Sequence, residues 1–291
     1  MPLFLGFLGV LAFSFTLPAT RVAVEGLDAT FVGIGREALA ALPAALVLML
    51  TRAPRPSRSQ LRRLGLVALG VVFGWPLFTA IALRDVSSAH SAVIVGLLPA
   101  ATAVAAVLRA GERPSRGFWL ASFAGLVAVL AFAASQGAGL LSTADVLILV
   151  AVALAAIGYA EGGALAREIG GWRVICWAVV LSVPLTLPIG AIAALGSDLH
   201  ADSDAWLGFA YVAGVSALFG FFPWYAGLAR GGVARIGQIQ LTQPLLTLAW
   251  SAWLLDEHIG AATLLASIAV IASVVATQRA RVDRAAPASG R

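Results

Sequence analysis

The stretch from Phe73 to Arg113 reads FGWPLFTAIALRDVSSAHSAVIVGLLPAATAVAAVLRAGER, and the stretch from Phe219 to His258 reads FGFFPWYAGLARGGVARIGQIQLTQPLLTLAWSAWLLDEH. Each holds two apolar runs joined by a short Arg-containing turn, then a mid-run proline and an acidic residue. Phe73-Gly74 aligns with Phe219-Gly220 and Arg84 with Arg230, both at an offset of 146 residues, while Pro99 and Glu112 align with Pro244 and Glu257 at 145. Working outward, Arg21 aligns with Arg167, Phe13 with Tyr159 and Phe15 with Glu161, again at 146. A repeat of about half the chain fixes the architecture before any single residue is considered.

Composition names the solvent. Of 291 residues, 60% are hydrophobic and 11% charged, with a mean hydropathy of +0.95, where a soluble domain carries roughly 25% charged residues. So much apolar surface needs lipid around it. All 19 basic residues are Arg. They sit mostly in short loops, so the net charge of +5 does not point to nucleic acid. One Cys and three His without ligand spacing predict no disulfide framework, metal site or cofactor. Residues 3–20 have the apolar character of a secretory leader but no basic side chain before it, and the repeat asks for a helix there.

Ten apolar runs can be marked, near 3–20, 29–50, 64–83, 87–108, 117–135, 145–166, 174–195, 205–228, 234–254 and 260–278, each close to the roughly 20 residues that cross a bilayer. The expectation is an all-α membrane protein of ten transmembrane helices in two five-helix repeats, 1–140 and 141–291, the second ending in a short disordered tail. With the N-terminus cytoplasmic, 16 of the 19 arginines fall in inner loops or the tail, and only Arg21 and Arg84 fall outside. This is the asymmetry of the positive-inside rule, and it places both termini in the cytoplasm. An odd number of helices per half turns the second half upside down relative to the first, so Arg21 lies outside and Arg167 inside. Inverted repeats belong to alternating-access carriers with a midplane site at the repeat interface.

These residues carry a family resemblance. The segments SSAHSAVIVGLLPAATAVAAVLRAGERPSRGFWLASFAGLVAVL and ARIGQIQLTQPLLTLAWSAWLLDEHIGAATLLASIAV resemble the EamA-like branch of the drug/metabolite transporter superfamily, over nearly all of the chain. Arg36, in FVGIGREALAALP, matches a common family position. Asp256-Glu257 departs from the usual Gly-Glu. The resemblance implies a multi-pass protein of the bacterial cytoplasmic (inner) membrane that exports small metabolites, amino acids in particular. Its partners would be the solute and the lipid bilayer, as a monomer with a dimer left open.

Within the apolar runs, each polar residue has a functional reading and a plain one. Arg36 offers a forked donor to a substrate carboxylate or a gate acid, or it forms a structural ion pair or snorkels. Glu37 is adjacent, so it points about 100° away around the helix, and both cannot line one cavity equally well. Glu161, about 9 Å along its helix from Arg167, could bind a proton or a substrate amine, or make a polar contact among Gly158, Gly162 and Gly163. Trp75, Phe78, Tyr159, Phe221, Trp224 and Tyr225 are core, belt or cavity residues. Trp75 and Tyr159 are the better cavity candidates, because they lie mid-helix, where the belt reading fails. Gln238, Gln240, Thr242 and Gln243 form the most polar stretch of any core helix, and burying three amides in lipid demands partners or water. Pro244 should free the carbonyl of Gln240. His90, one turn into the fourth helix, is an outer-gate or substrate contact, or a satisfied polar residue. Glu112 and Glu257 suit the start of the next helix as caps rather than chemistry. The site expected is a cavity between the first, third, fourth, sixth, eighth and ninth helices.

Two other function classes stand against a carrier. An intramembrane enzyme would need a nucleophile, but Gly214-Val215-Ser216-Ala217-Leu218 lacks the last glycine of a nucleophile elbow. A channel would need a continuous polar stripe, and a sensor a soluble output domain; neither is apparent. No enzyme activity is expected. Glu161 is the best proton site if there is one, but the expectation is export without an obligatory proton.

Overall fold

The structure, a computed structural model, describes residues 2–110, 113–135, 141–197, 199–231, 236, 238–280 and 282–283. Apolar runs in lipid have no water to satisfy their backbone, so they close their own hydrogen bonds as helices. Among the described residues, seven helical segments are long and apolar enough to cross a bilayer: α1 (Pro2–Gly26), α2 (Phe31–Leu50), α3 (Arg58–Ala82), α4 (Ser88–Arg109), α6 (Thr143–Ile169), α7 (Gly171–Leu195) and α8 (Ser203–Arg230). The others are α5 (Arg116–Ser135), α9 (Gln243–Leu254) and α10 (Ala261–Arg279). Side chains such as Leu42, Met49 and Leu195, at 71%, 75% and 89% exposed, form the outer, lipid-facing surface.

Several elements differ from the sequence expectation. α1 is six residues longer at its end, because Arg21 and Glu25 pair across one turn at 3.1 Å and carry the helix into the polar region. Gln238–Thr242 is a tight 3₁₀ turn and the α-helix begins only at Gln243. Pro244 therefore sits in a first turn, where its missing N–H is harmless, rather than interrupting a continuous helix. Arg113–Pro114 and Val282–Asp283 form a two-residue antiparallel ladder, the one strand pairing among the described residues. The Glu112 cap and the tail beyond Asp283 fall outside the described residues.

Close packing follows a regular pattern. α2 lies against α7, where a Cβ on Gly190 would come within 2.9 Å of the Gly35 backbone. α5 lies against α10, with Ser122 3.4 Å from Thr277. α6 packs on α3 and α4, and α1 packs on α8 and α9. Small residues let these backbones approach. A Cβ on Gly9 would meet Trp224 Cβ at 2.7 Å, and one on Gly6 would meet Ile236 at 2.7 Å. A Cβ on Gly70 would run into the Leu154 carbonyl. Wide π-turns occur at Phe31–Gly35, Ala68–Gly74 and Val212–Phe219. The last two lie at corresponding places in α3 and α8.

Candidate functional site

α1 is broken at Phe15. Pro18 has no N–H to give the Ser14 carbonyl four residues back, and that carbonyl instead accepts from Thr247 Oγ1 at 2.7 Å. Trp250 Nε1 donates to Ser14 Oγ at 3.0 Å, Tyr211 OH to the Ala12 carbonyl at 2.7 Å, and Thr16 and Ser216 hydroxyls meet at 2.8 Å. Side chains of α8 and α9 thus satisfy the polar groups exposed by the break. Beside it lies a buried aromatic group. Phe13 meets Phe221 at 4.8 Å between centroids, and Tyr159 of α6 lies 6.2 Å from both Phe221 and Trp224.

Four charged side chains are buried among the described residues: Arg36, Glu37, Asp145 and Glu161. Arg36 and Glu37, 2% and 1% exposed, come directly after the π-turn of α2, near Tyr159. The extra residue in that turn rotates the rest of the helix by about 100°. Although adjacent, the two side chains meet: Arg36 Nε donates to Glu37 Oε1 at 3.0 Å. The two long side chains thus reach each other across the divergence expected of neighbours. Glu161 takes hydrogen bonds from both Arg63 of α3 and Arg109 of α4, the latter including Nη2 to Oε1 at 3.0 Å, and Arg63 also reaches Glu168. His90 Nε2 lies 2.6 Å from Asp145 Oδ1, while Asp145 Oδ2 accepts from Ser142. Thus α4 and α6 are pinned at both ends.

Glu257 caps a helix, but not the one next to it in the chain. Its Oε1 accepts from Ser88 N and Oγ, both at 2.9 Å, and its Oε2 from Ala89 N at 2.7 Å, at the start of α4. Asp256 before it has φ +50°, a left-handed conformation that glycine adopts freely and Asp tolerates better than most residues. That requirement accounts for Gly or Asp at this place.

Of the nine residues singled out from sequence, Arg36, Trp224, Gln240 and Gln243 are buried and each carries a polar atom without a partner among the described residues: Nη1, Nε1, Nε2 and Oε1 respectively. Tyr225 OH, near Gly162 of α6, is another. Buried polar groups are ordinarily paired, so such exceptions call for a water or a ligand. Tyr159 joins this group through its ring contacts. Trp75 and Phe78 are only half-buried on α3, and His90 and Glu161 are committed to Asp145 and the arginines.

A cavity of about 990 Å³ opens at the end of the bundle that carries Arg21, Glu25, Asp204 and Asp256, and reaches inward to Phe15 and Tyr211. A smaller one of about 440 Å³ adjoins it through Phe15, Tyr211 and Leu254 and extends along Leu11 and Trp250. Neither is lined by any of the nine. Phe15, Tyr211 and Trp250 had only a positional signal, Phe15 standing where the repeat sets Glu161. Aromatic residues are too common in membrane helices to mark a cavity.

Residues 1–134 and 142–278 match the EamA-like transporter family. A protein of Bacillus subtilis (strain 168), "Uncharacterized transporter YdeK", is 46% identical over 274 residues, covering 94% of this chain and 96% of its own. A solved crystal structure at 15% identity superposes with a TM-score of 0.63, over 96% of this chain and 98% of the other, a likeness of fold. The chain belongs to the EamA-like transporter family and is a multi-pass membrane transporter.

Proposed function

We propose that the protein is a secondary carrier of the bacterial inner membrane that exports small metabolites, amino acids among them, by alternating access. Ten helices span the membrane as two inverted five-helix repeats, residues 1–140 and 141–291, with both termini cytoplasmic. The packing supports this: α6 on α3 and α4 mirrors α1 on α8 and α9. The two ends also differ as a carrier caught in one state requires. Arg63, Arg109 and Glu161 close the wedge between α3, α4 and α6. At the corresponding place on the other side, Phe15, Tyr211, Trp250 and Leu254 border open space. With the arginine-rich loops inside, this is an outward-open form.

The observation that carries the reading is the set of unpartnered buried atoms on Arg36, Trp224, Gln240 and Gln243, which a polar solute would satisfy in passing. Trp75 and Phe78 contribute from α3, while His90 and Glu161 stay with their partners at the two ends of α4 and α6. The test is counterflow of labelled amino acids into liposomes holding the purified chain. Saturable exchange is expected, and Gln243→Leu should lower it about tenfold, the loss of a buried hydrogen bond to the solute, with insertion unchanged. Non-saturating flux would indicate a channel, and undiminished exchange in the variant would remove Gln243 from the site.

A further inference from the structure

The outer surface carries a groove of about 710 Å³ between α2 and α7, beside the place where Gly35 meets Gly190. Its walls are apolar throughout, with Ala38, Ala41 and Ala45 on one side and Val180, Val183 and Ala191 on the other. Leu42 and Leu187 stand exposed on its rims, and α7 is the least buried of the seven long spans. The groove therefore opens to hydrocarbon. The two helices run antiparallel, and their register is constant. Phe31 and Ala194 mark one end of the groove, Gly35 meets Gly190 along it, and Ala45 and Val180 mark the other end. One step forward on α2 is thus one step back on α7. The same register carried seven residues further brings Arg52, just past α2, level with Arg173 in the first turn of α7. That is about 10 Å beyond the end of the groove.

Both arginines have donors to spare. Arg52 is exposed and has no ion pair among the described residues. Arg173 lies 5.1 Å over the Trp172 ring and gives Nη1 to the Ile169 carbonyl at 3.4 Å, while its buried Nε has no partner among the described residues. A buried donor of that kind calls for a water or a ligand. Trp172 marks the depth, since tryptophan favours the level of the lipid headgroups. A phosphodiester suits the forked guanidinium, and a monolayer's hydrocarbon, about 15 Å deep, reaches from that level past Ala45 into the groove. We propose that an anionic phospholipid of the arginine-rich side binds here, its phosphate between Arg52 and Arg173 and one acyl chain along Ala45, Ala41 and Val180. Charge speaks against a second copy as the occupant. Two chains of the same orientation, related by an axis along the membrane normal, bring residues of equal depth together, so their cationic rims would face each other. Only the leaflet, the cytoplasmic one, rests on the orientation given under Proposed function.

The experiment titrates the full chain in detergent with dioleoyl phosphatidylglycerol or dioleoyl phosphatidylcholine and follows the thermal unfolding midpoint, which a ligand of the folded state raises. Phosphatidylglycerol should reach half its effect at about tenfold lower concentration, the preference that two arginines near the headgroup supply. Arg52→Gln should narrow that preference several-fold, and Arg52→Gln with Arg173→Gln should abolish it. Ala45→Leu, which fills the inner part of the groove, should raise the half-effect concentration of both lipids. Glycerophosphoglycerol, the headgroup without its chains, should do nothing. A variant of lower intrinsic stability starts from a lower midpoint but keeps a readable half-effect concentration. Should the double variant not fold, the exposed Arg52→Gln alone decides. Equal response to the two lipids, or a preference unmoved by the arginine substitutions, would overturn the proposal. An effect reproduced by glycerophosphoglycerol would make the arginines a free-phosphate site, and a dimer dispersed by Ala45→Leu would give the groove to a second copy; either overturns it. No transport is measured, so these failures leave the carrier reading standing, and a chain inactive in counterflow leaves the lipid site standing.

Discussion

Thr247 on α9 bonds a carbonyl of α1 that proline has left free, so two distant residues depend on one local defect. Thr247→Val should leave the Ser14 carbonyl buried and unpaired at a cost of about 1–3 kcal/mol; thermal unfolding in detergent would register a lower midpoint, and no shift would mean that water replaces the hydroxyl. Arg36, Trp224, Gln240 and Gln243 were legible in the sequence because a polar atom inside an apolar run is anomalous and invites a question about its partner. Phe15, Tyr211 and Trp250 were not, because lining a cavity requires only position. The reach of Glu257 to α4 was hidden for a different reason: a cap is readable when it is local, and this one spans 169 residues.

At the level of elements, the decisive contrast is between the two wedges. α3, α4 and α6 are drawn together by Glu161 with Arg63 and Arg109, whereas α1, α8 and α9 meet through aromatic rings with space between them. Glu161→Gln should loosen the first wedge. A cysteine placed at Ala105, packed against the core on α4, should then react several-fold faster with a membrane-impermeant thiol reagent applied from the cytoplasmic side, the expectation for a shifted two-state equilibrium. Unchanged labelling would make the ion pairs simple staples. Most helices were legible from run length and the arginine pattern. The 3₁₀ start of α9 was not, since Gln238–Thr242 has no feature that separates a tight turn from an α-turn until the neighbours are known.

For the whole molecule, the proposed repeat reads in the sequence as an offset, but an offset does not say which helix packs on which. That α1 lies on the distant α8 and α9 is explained by Gly6, Gly9 and Gly227, whose bare backbones allow the approach. The proposed orientation predicts that cysteines at Asp202 and Ser57 are labelled from opposite sides of the membrane; labelling of both from one side would sink it. Because Asp145 and Glu161 are already hydrogen-bonded to His90, Ser142 and two arginines, we also expect solute exchange to proceed without an obligatory proton. An imposed pH gradient alone should drive little accumulation in liposomes, and Glu161→Gln should keep substantial flux. Concentrative uptake on a pH gradient, lost in that variant, would assign the proton to Glu161.

The cap on α4 has a consequence for the order in which the chain is made. The free amides at Ser88 and Ala89 receive their carboxylate from Glu257, a contact of the kind worth about 0.3–1 kcal/mol, more where partly buried. A ribosome synthesises α4 long before Glu257, so α4 enters the membrane with its first turn unfinished. α1 likewise waits for α8 and α9 to supply the Tyr211, Thr247 and Trp250 contacts that complete it. Residues 1–140 translated alone should therefore insert but remain open to proteases and quality control, and supplying residues 141–291 as a separate polypeptide should rescue them.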